Sequence, residues 1–133
     1  MSRKRENVRQ CKAIRQLIDD NKYTKALELI DAIPLEEVGS LDDLYRYAEL
    51  YEKAERMDKK KEIFYHIYHR THSRYMLNRL LRLTIRMGDM EEARELYFAY
   101  EVAGPITLDT FELRYLLAKA EGEPPERLIQ ILE

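Results

Sequence analysis

The sequence has little of what all-β, disulfide-linked or membrane-spanning proteins need. Four glycines and four prolines in 133 residues are too few for the many tight turns of an all-β fold. The single cysteine, Cys11, cannot form an internal disulfide, so nothing indicates an oxidising compartment. No apolar run approaches the roughly 20 residues of a membrane-spanning helix, and the basic start MSRKREN precedes no apolar signal segment. These absences predict a cytoplasmic protein.

Strong charge of one sign and catalytic motifs are missing as well. The 25 acidic residues nearly balance the 23 lysines and arginines, and the net charge of -2 argues against a dedicated nucleic-acid-binding domain. There is no glycine-rich phosphate loop, no nucleophile elbow and no CxxC motif. We therefore expect a protein that is not an enzyme and that uses no cofactor.

Apolar residues recur at helical spacing along almost the whole chain, and no segment alternates as a β-strand would. Leu77, Leu80, Leu81 and Thr84, for example, share one helical face. The spacing and the punctuation between segments predict eight helices, at about residues 4–20, 23–33, 41–55, 58–71, 74–87, 89–103, 108–121 and 124–132.

Two sequence signals mark helix starts. Ser40-x-x-Asp43 matches a capping box, in which each side chain satisfies an unpaired amide of the first turn. Thr107 follows the Gly104-Pro105 break and is placed to cap the next helix.

A pattern of two helices and a turn recurs every 33 or 34 residues. Its most complete copy consists of Leu77-x2-Leu80-Leu81-x2-Thr84, then Ala93-x3-Tyr97, then Pro105. A small residue lets the paired helices approach, a large residue four positions later fills the space between repeats, and proline ends the second helix. The turns inside the pairs fall, at steps of 34, 33 and 34 residues, at Asn21, Glu55, Gly88 and Gly122.

This pattern resembles the tetratricopeptide repeat over nearly the whole chain. Lys60 and Arg127 depart from it by replacing the small residue, and the tryptophan and glycine of the family's first helix are absent. The resemblance implies an all-α fold, a right-handed α-solenoid of about four helical hairpins in one domain. The repeats would span residues 7–40, 41–73, 74–107 and 108–133.

The end of the chain predicts that more repeats follow. The last predicted helix carries four apolar residues, and no polar capping helix comes after it. They are Leu128, Ile129, Ile131 and Leu132. The chain resembles the amino-terminal repeat segment of a larger bacterial tetratricopeptide protein. Self-association through this last helix is an alternative prediction.

The resemblance implies that an extended peptide binds in a concave groove lined by the first helix of each repeat. Arg79, Arg82 and Arg86 are spaced to share one helical face, and arginine forks favour carboxylates. The predicted ligand is therefore an acidic peptide or protein segment. The candidate binding residues are Tyr75, Asn78, Arg79, Arg82 and Arg86, supported by Lys12, Arg15 and Tyr45.

Other interpretations of these residues stay open. The arginines also fit an ordinary solvated helix face that is paired with nearby acids. The chain also fits a structural spacer or oligomerisation segment, and a nucleic-acid-associated regulatory role for the basic first helix is a weaker alternative. His66, His69 and His72 lie three apart, but no acid or cysteine adjoins them, so we expect no metal site. Four tyrosines are predicted core residues: Tyr47, Tyr51, Tyr97 and Tyr115.

Overall fold

The computed structural model describes residues 3–124, 126–127 and 130, and in these residues the chain forms helices and no strand. None of these helices is long and apolar enough to cross a membrane. The α-helices are α1 (Arg3–Asp19), α2 (Tyr23–Ala32), α3 (Leu41–Lys53), α4 (Met57–Thr71), α5 (Arg74–Met87), α6 (Met90–Val102) and α7 (Leu108–Ala120).

The predicted and observed bounds of α1 to α7 agree to within two residues. A short 3-10 turn at Leu35–Glu37, which was not predicted, lies between α2 and α3. The eighth predicted helix falls largely outside the described residues, although 126, 127 and 130 are helical. Its apolar residues also lie outside the described part: Leu128, Ile129, Ile131 and Leu132.

The four predicted turns share one backbone conformation. Asn21, Glu55, Gly88 and Gly122 all have positive φ, at 60°, 59°, 83° and 85°. At each turn the next residue donates its amide to a carbonyl five positions back, which closes the helix end by the Schellman pattern. These bonds are Lys22 to Leu17, Arg56 to Tyr51, Asp89 to Thr84 and Glu123 to Ala118. The period predicted from sequence is therefore present in the backbone.

One predicted cap forms completely and the other only in part. The Thr107 amide donates to the Thr110 hydroxyl at 3.0 Å, as part of a capping box at the start of α7. At α3, Ser40 Oγ accepts the Asp43 amide at 3.4 Å, but the Asp43 carboxylate binds Arg15. The reciprocal half of the predicted Ser40–Asp43 box is thus replaced by an ion pair, because a guanidinium competes well for a carboxylate.

The helices divide into two compact units, Met1–Ile67 and Tyr68–Glu133. In the first unit, α1 packs on α2 and α2 packs on α3. The small-residue position of the first repeat, Ala26, is fully buried. Buried residues of this unit include Ile14, Ile30, Val38, Leu44, Tyr47, Ala48, Ile63 and Phe64.

Lys60 occupies the second small-residue position and is buried despite its charge. Its ammonium lies 3.0 Å from the Glu52 carboxylate and 5.3 Å from the centre of the Phe64 ring. The aliphatic stem fills the space beside the hairpin, and the ammonium reaches a carboxylate at the end of α3. A lysine can therefore replace the small residue of the repeat pattern.

In the second unit, α5 packs against both α6 and α7, and α6 packs against α7. Ala93, at the small-residue position of the third repeat, is fully buried where α6 approaches its neighbours. Buried residues of this unit include Met76, Leu77, Leu80, Leu81, Leu83, Leu96, Tyr100 and Leu113.

The tyrosine prediction is half correct. Tyr47 and Tyr51 are buried, but Tyr97 and Tyr115 are only half-buried. Tyr97 donates its hydroxyl proton to Glu101 and accepts a hydrogen bond from Arg114 Nε at 2.5 Å. Burial is the main cause that raises the pKa of Tyr97 to about 12, followed by the hydrogen bond to Glu101. This polar network keeps the tyrosine at the rim of the core.

The connection after α6 needs a glycine for close approach. A Cβ at Gly104 would lie 2.7 Å from Arg74 Nη1. Arg74 is held there because its Nε donates to the Tyr100 carbonyl at 3.0 Å and its guanidinium stacks 4.0 Å from the Tyr100 ring centre. The Gly104-Pro105 break therefore combines a helix stop with a site for this arginine.

Candidate binding face on the fifth helix

The two ends of α5 are fixed by local hydrogen bonds. Ser73 Oγ accepts a hydrogen bond from the Met76 amide at 3.3 Å, and the Gly88 amide donates one to the Ile85 carbonyl at 3.0 Å. One face of the helix is buried, and it consists of Met76, Leu77, Leu80, Leu81, Leu83 and Thr84. Tyr75, Arg79, Arg82 and Arg86 lie off this face.

The α5 stripe, defined as Tyr75, Arg79, Arg82 and Arg86, lies on one side of the helix at spacings of four, three and four residues. Tyr75 is 64% exposed and Arg86 is exposed, while Arg79 and Arg82 are half-buried. The Arg79 guanidinium lies 5.8 Å from the centre of the Tyr75 ring. The stripe thus presents three cations beside one aromatic ring.

Asn78 holds Arg82 in a defined orientation. The Asn78 side chain is largely buried, and its Oδ1 accepts a hydrogen bond from Arg82 Nε at 2.6 Å. Arg82 Nη1 then lies 2.9 Å from the Glu112 carboxylate on α7. The Arg82 hydrogen bond holds the pKa of Glu112 below its ordinary value. The candidate face therefore already binds one carboxylate.

The supporting candidates belong to the first unit. Lys12 is exposed on α1, and Tyr45 is half-buried on α3. Arg15 donates two parallel hydrogen bonds to Asp43, with Nε at 3.0 Å and Nη2 at 3.1 Å from the carboxylate oxygens. Because its fork already holds a buried carboxylate, Arg15 has an evident structural role.

A small pocket lies beside this ion pair. Its lining includes Val8, Cys11 and Ser40 together with Arg15 and Asp43. The Cys11 thiol is buried. The pocket adds no feature that favours catalysis by this cysteine over packing.

The histidines form no metal site in the part of the chain that the structure describes. No group of three or more histidine, cysteine or acidic side chains is placed there to hold a metal ion. His69 and His72 instead lie beside the Tyr68 ring, with centroid separations of 5.8 Å and 5.9 Å.

The sequence interpretation missed the carboxylates that bind the arginines. Arg15 and Arg82 occupy the same position in the repeat pattern, and their acidic partners follow 28 and 30 residues later. Opposite charges separated by slightly less than one repeat are the signal that would have indicated both pairs. The exposed apolar residues Phe98 and Val102 on α6 were also missed.

No model of a known protein family matches the chain, and no curated protein or solved structure matches it either.

Proposed function

We propose that the chain is a non-enzymatic protein-interaction module built from tetratricopeptide-like hairpins stacked as a right-handed α-solenoid. Support comes from four of the five left-handed residues in the described part of the chain, which lie at steps of 34, 33 and 34 residues; the fifth, His72, lies between α4 and α5. The buried small-residue positions at Ala26 and Ala93 also agree with the repeat pattern.

The proposed ligand is an extended acidic segment that binds along the α5 stripe. The observation that carries this proposal is the ion pair between Arg82 and Glu112, in which this face holds a carboxylate at 2.9 Å. Arg79 and Arg86 extend the same side of the helix in both directions, and Tyr75 adds an exposed ring. A ligand with acids spaced along an extended backbone would place several carboxylates on these forks.

The charges predict modest affinity that depends on salt. Exposed ion pairs contribute about 0.2–1 kcal/mol each, so several must act together. Added salt screens them, since the Debye length falls to about 8 Å at physiological ionic strength.

Selection from a displayed random peptide library tests the proposal. The wild-type chain is compared with a variant that carries Arg79→Glu and Arg86→Glu and keeps Arg82, because Asn78 depends on that residue. Arg46→Glu, which reverses an exposed arginine on α3, is the matched control. We expect acidic peptides to enrich on the wild type and on the control but not on the double variant. Equal enrichment on all three proteins, or no enrichment, would refute this function.

Glu112→Gln supplies a second arm. The substitution removes the carboxylate that competes for Arg82 while it keeps the shape of the side chain. Acidic peptides selected on the wild type should bind this variant more tightly. Unchanged affinity would show that Arg82 does not contact the ligand.

A further inference from the structure

The outer side of α6 carries a second exposed stripe. The α6 stripe, defined as Glu91, Glu95, Phe98 and Val102, has all four side chains exposed. Phe98 is 69% exposed and Val102 is 71% exposed, which is unusual for large apolar residues on one helical face. The first half of this stripe is acidic and the second half is apolar.

The two stripes have the same spacing and complementary chemistry. Both place residues at steps of four, three and four, so both follow a nearly straight line of about 17 Å along a helix. When the helices are set antiparallel, an apolar pair, a cation–aromatic pair and two ion pairs result. The facing residues are Tyr75 with Val102, Arg79 with Phe98, Arg82 with Glu95 and Arg86 with Glu91.

The stripes of one chain are not placed to meet each other. α5 packs against α6, and the buried residues of α6, which are Ala93, Leu96 and Tyr100, lie on the side of the helix opposite the α6 stripe. Since both stripes lie off this contact and remain wholly or partly exposed, a complementary match requires two molecules.

We propose that the α6 stripe of one copy docks antiparallel on the α5 stripe of a second copy. This inference rests on the proposed function, because it assigns an occupant to the same α5 stripe, here a helix face of a second copy in place of an extended peptide. The contact is head-to-tail, so each end of a pair keeps one unused stripe and further copies can add. Charge complementarity selects a second copy as the occupant: α5 contains four arginines and no acid, whereas Glu91 and Glu95 begin the facing stripe.

A contact between single helices of this length makes a small interface. Such interfaces give transient association, and exposed ion pairs make it sensitive to salt. The copies therefore associate in a concentration-dependent manner at low salt and separate at high salt.

Sedimentation equilibrium over a wide range of protein concentration tests the inference with a charge swap. Arg86→Glu and Glu91→Arg each place like charges across the contact and should weaken association about tenfold. An equimolar mixture of the two variants restores opposite charges and should associate nearly as well as the wild type. Arg46→Glu controls for the change in net charge that Arg86→Glu makes.

The outcomes separate this inference from the proposed function. A wild-type chain that stays monomeric at low salt, or a mixture that fails to recover, overturns docking of a second copy. The proposed function still stands in that case if acidic peptides bind, and Glu91→Arg should then bind them normally. If the mixture restores association and excess acidic peptide reverses it, the result supports both the docking of a second copy and the proposed function. Association that acidic peptide does not affect overturns the assignment of the contact to the α5 stripe.

Discussion

Arg15 and Asp43 tie the first helix of one hairpin to the first helix of the next. Arg15 on α1 donates two hydrogen bonds to Asp43 on α3, and the Asp43 side chain is only 4% exposed. Arg82 on α5 makes the equivalent connection to Glu112 on α7, but Glu112 is 55% exposed. The same position of the repeat pattern therefore carries an arginine that links two hairpins in both cases, but its acidic partner is buried in one case and exposed in the other.

The burial of Asp43 predicts how much this tie stabilises the fold. Arg15→Ala should lower the free energy of unfolding by about 1–2 kcal/mol, because it leaves a buried carboxylate unpaired. The loss is smaller than for a fully buried ion pair, since Arg15 is 46% exposed. Glu112→Gln should change stability by less than about 0.5 kcal/mol, because its carboxylate is solvated. Urea denaturation measures both. Equal effects would contradict the role of burial.

Lys60 should be replaceable by an apolar residue. Lys60→Met keeps the stem that fills the hairpin and removes a buried charge, and Glu52 is 43% exposed and stays solvated. We expect stability to be unchanged or to rise by up to about 1 kcal/mol, as is common when buried ion pairs become apolar. Thermal and urea unfolding provide the measurement. A loss above about 1 kcal/mol would show that the ion pair itself is required.

The left-handed turns predict that substitution by glycine has opposite effects on stability at Glu55 and at its neighbour Ala54. Glu55 has a φ of 59°, which costs about 1 kcal/mol for a residue with a Cβ, so Glu55→Gly should stabilise the chain by up to that amount. Gly88→Ala should cost about 1 kcal/mol, although no atom lies within 4 Å of the added Cβ. Ala54→Gly is the control, because Ala54 has a φ of -85° and should lose stability. Glu55→Gly that destabilises as much as Ala54→Gly would contradict the assignment.

Asp31 predicts a pH dependence on the acid side. Arg56 Nη1 at 2.9 Å and the Tyr51 hydroxyl at 2.5 Å donate to its carboxylate, and Arg56 is the main cause that holds the pKa of Asp31 below its ordinary value. The unfolded chain therefore takes up the proton first as pH falls, and this stabilisation, present at neutral pH, is lost as pH falls through the lowered pKa. Because Asp31 is 39% exposed, we expect less than about 1 kcal/mol.

Asp31→Asn tests this by comparing urea unfolding at neutral pH with unfolding near pH 3. The variant should be less stable than the wild type at neutral pH and should match it more closely in acid. A difference that stays constant with pH would mean that the Asp31 carboxylate does not contribute through its charge.

The helices could be predicted because local signals agree with each other. Apolar spacing, the turn residues Gly88 and Gly122 and the cap at Thr107 all mark the same boundaries, and such signals require no knowledge of distant contacts. The burial of Lys60 could not be predicted in this way. It depends on Glu52 and Phe64 lying close enough to receive a charge and a stem, which only packing determines.

The candidate binding face could likewise be predicted from local sequence only in part. Helical periodicity places Arg79, Arg82 and Arg86 together without reference to any other helix. The carboxylate that Arg82 binds comes from α7, 30 residues away, so helical periodicity does not indicate it and only the spacing of charges between repeats does. The rim position of Tyr97 likewise depends on Arg114 from a different helix.

The most direct test of acidic-segment binding is a titration of the labelled chain with a glutamate-rich peptide, followed by amide and arginine Nε resonances in ¹H–¹⁵N spectra. A peptide with glutamine at every glutamate position is the control. The account predicts shifts of the Nε signals of Arg79, Arg82 and Arg86 and of the α5 amides, with little change at Arg46. Shifts that spread over all exposed arginines, that occur equally with the glutamine peptide, or that leave α5 unchanged would contradict it.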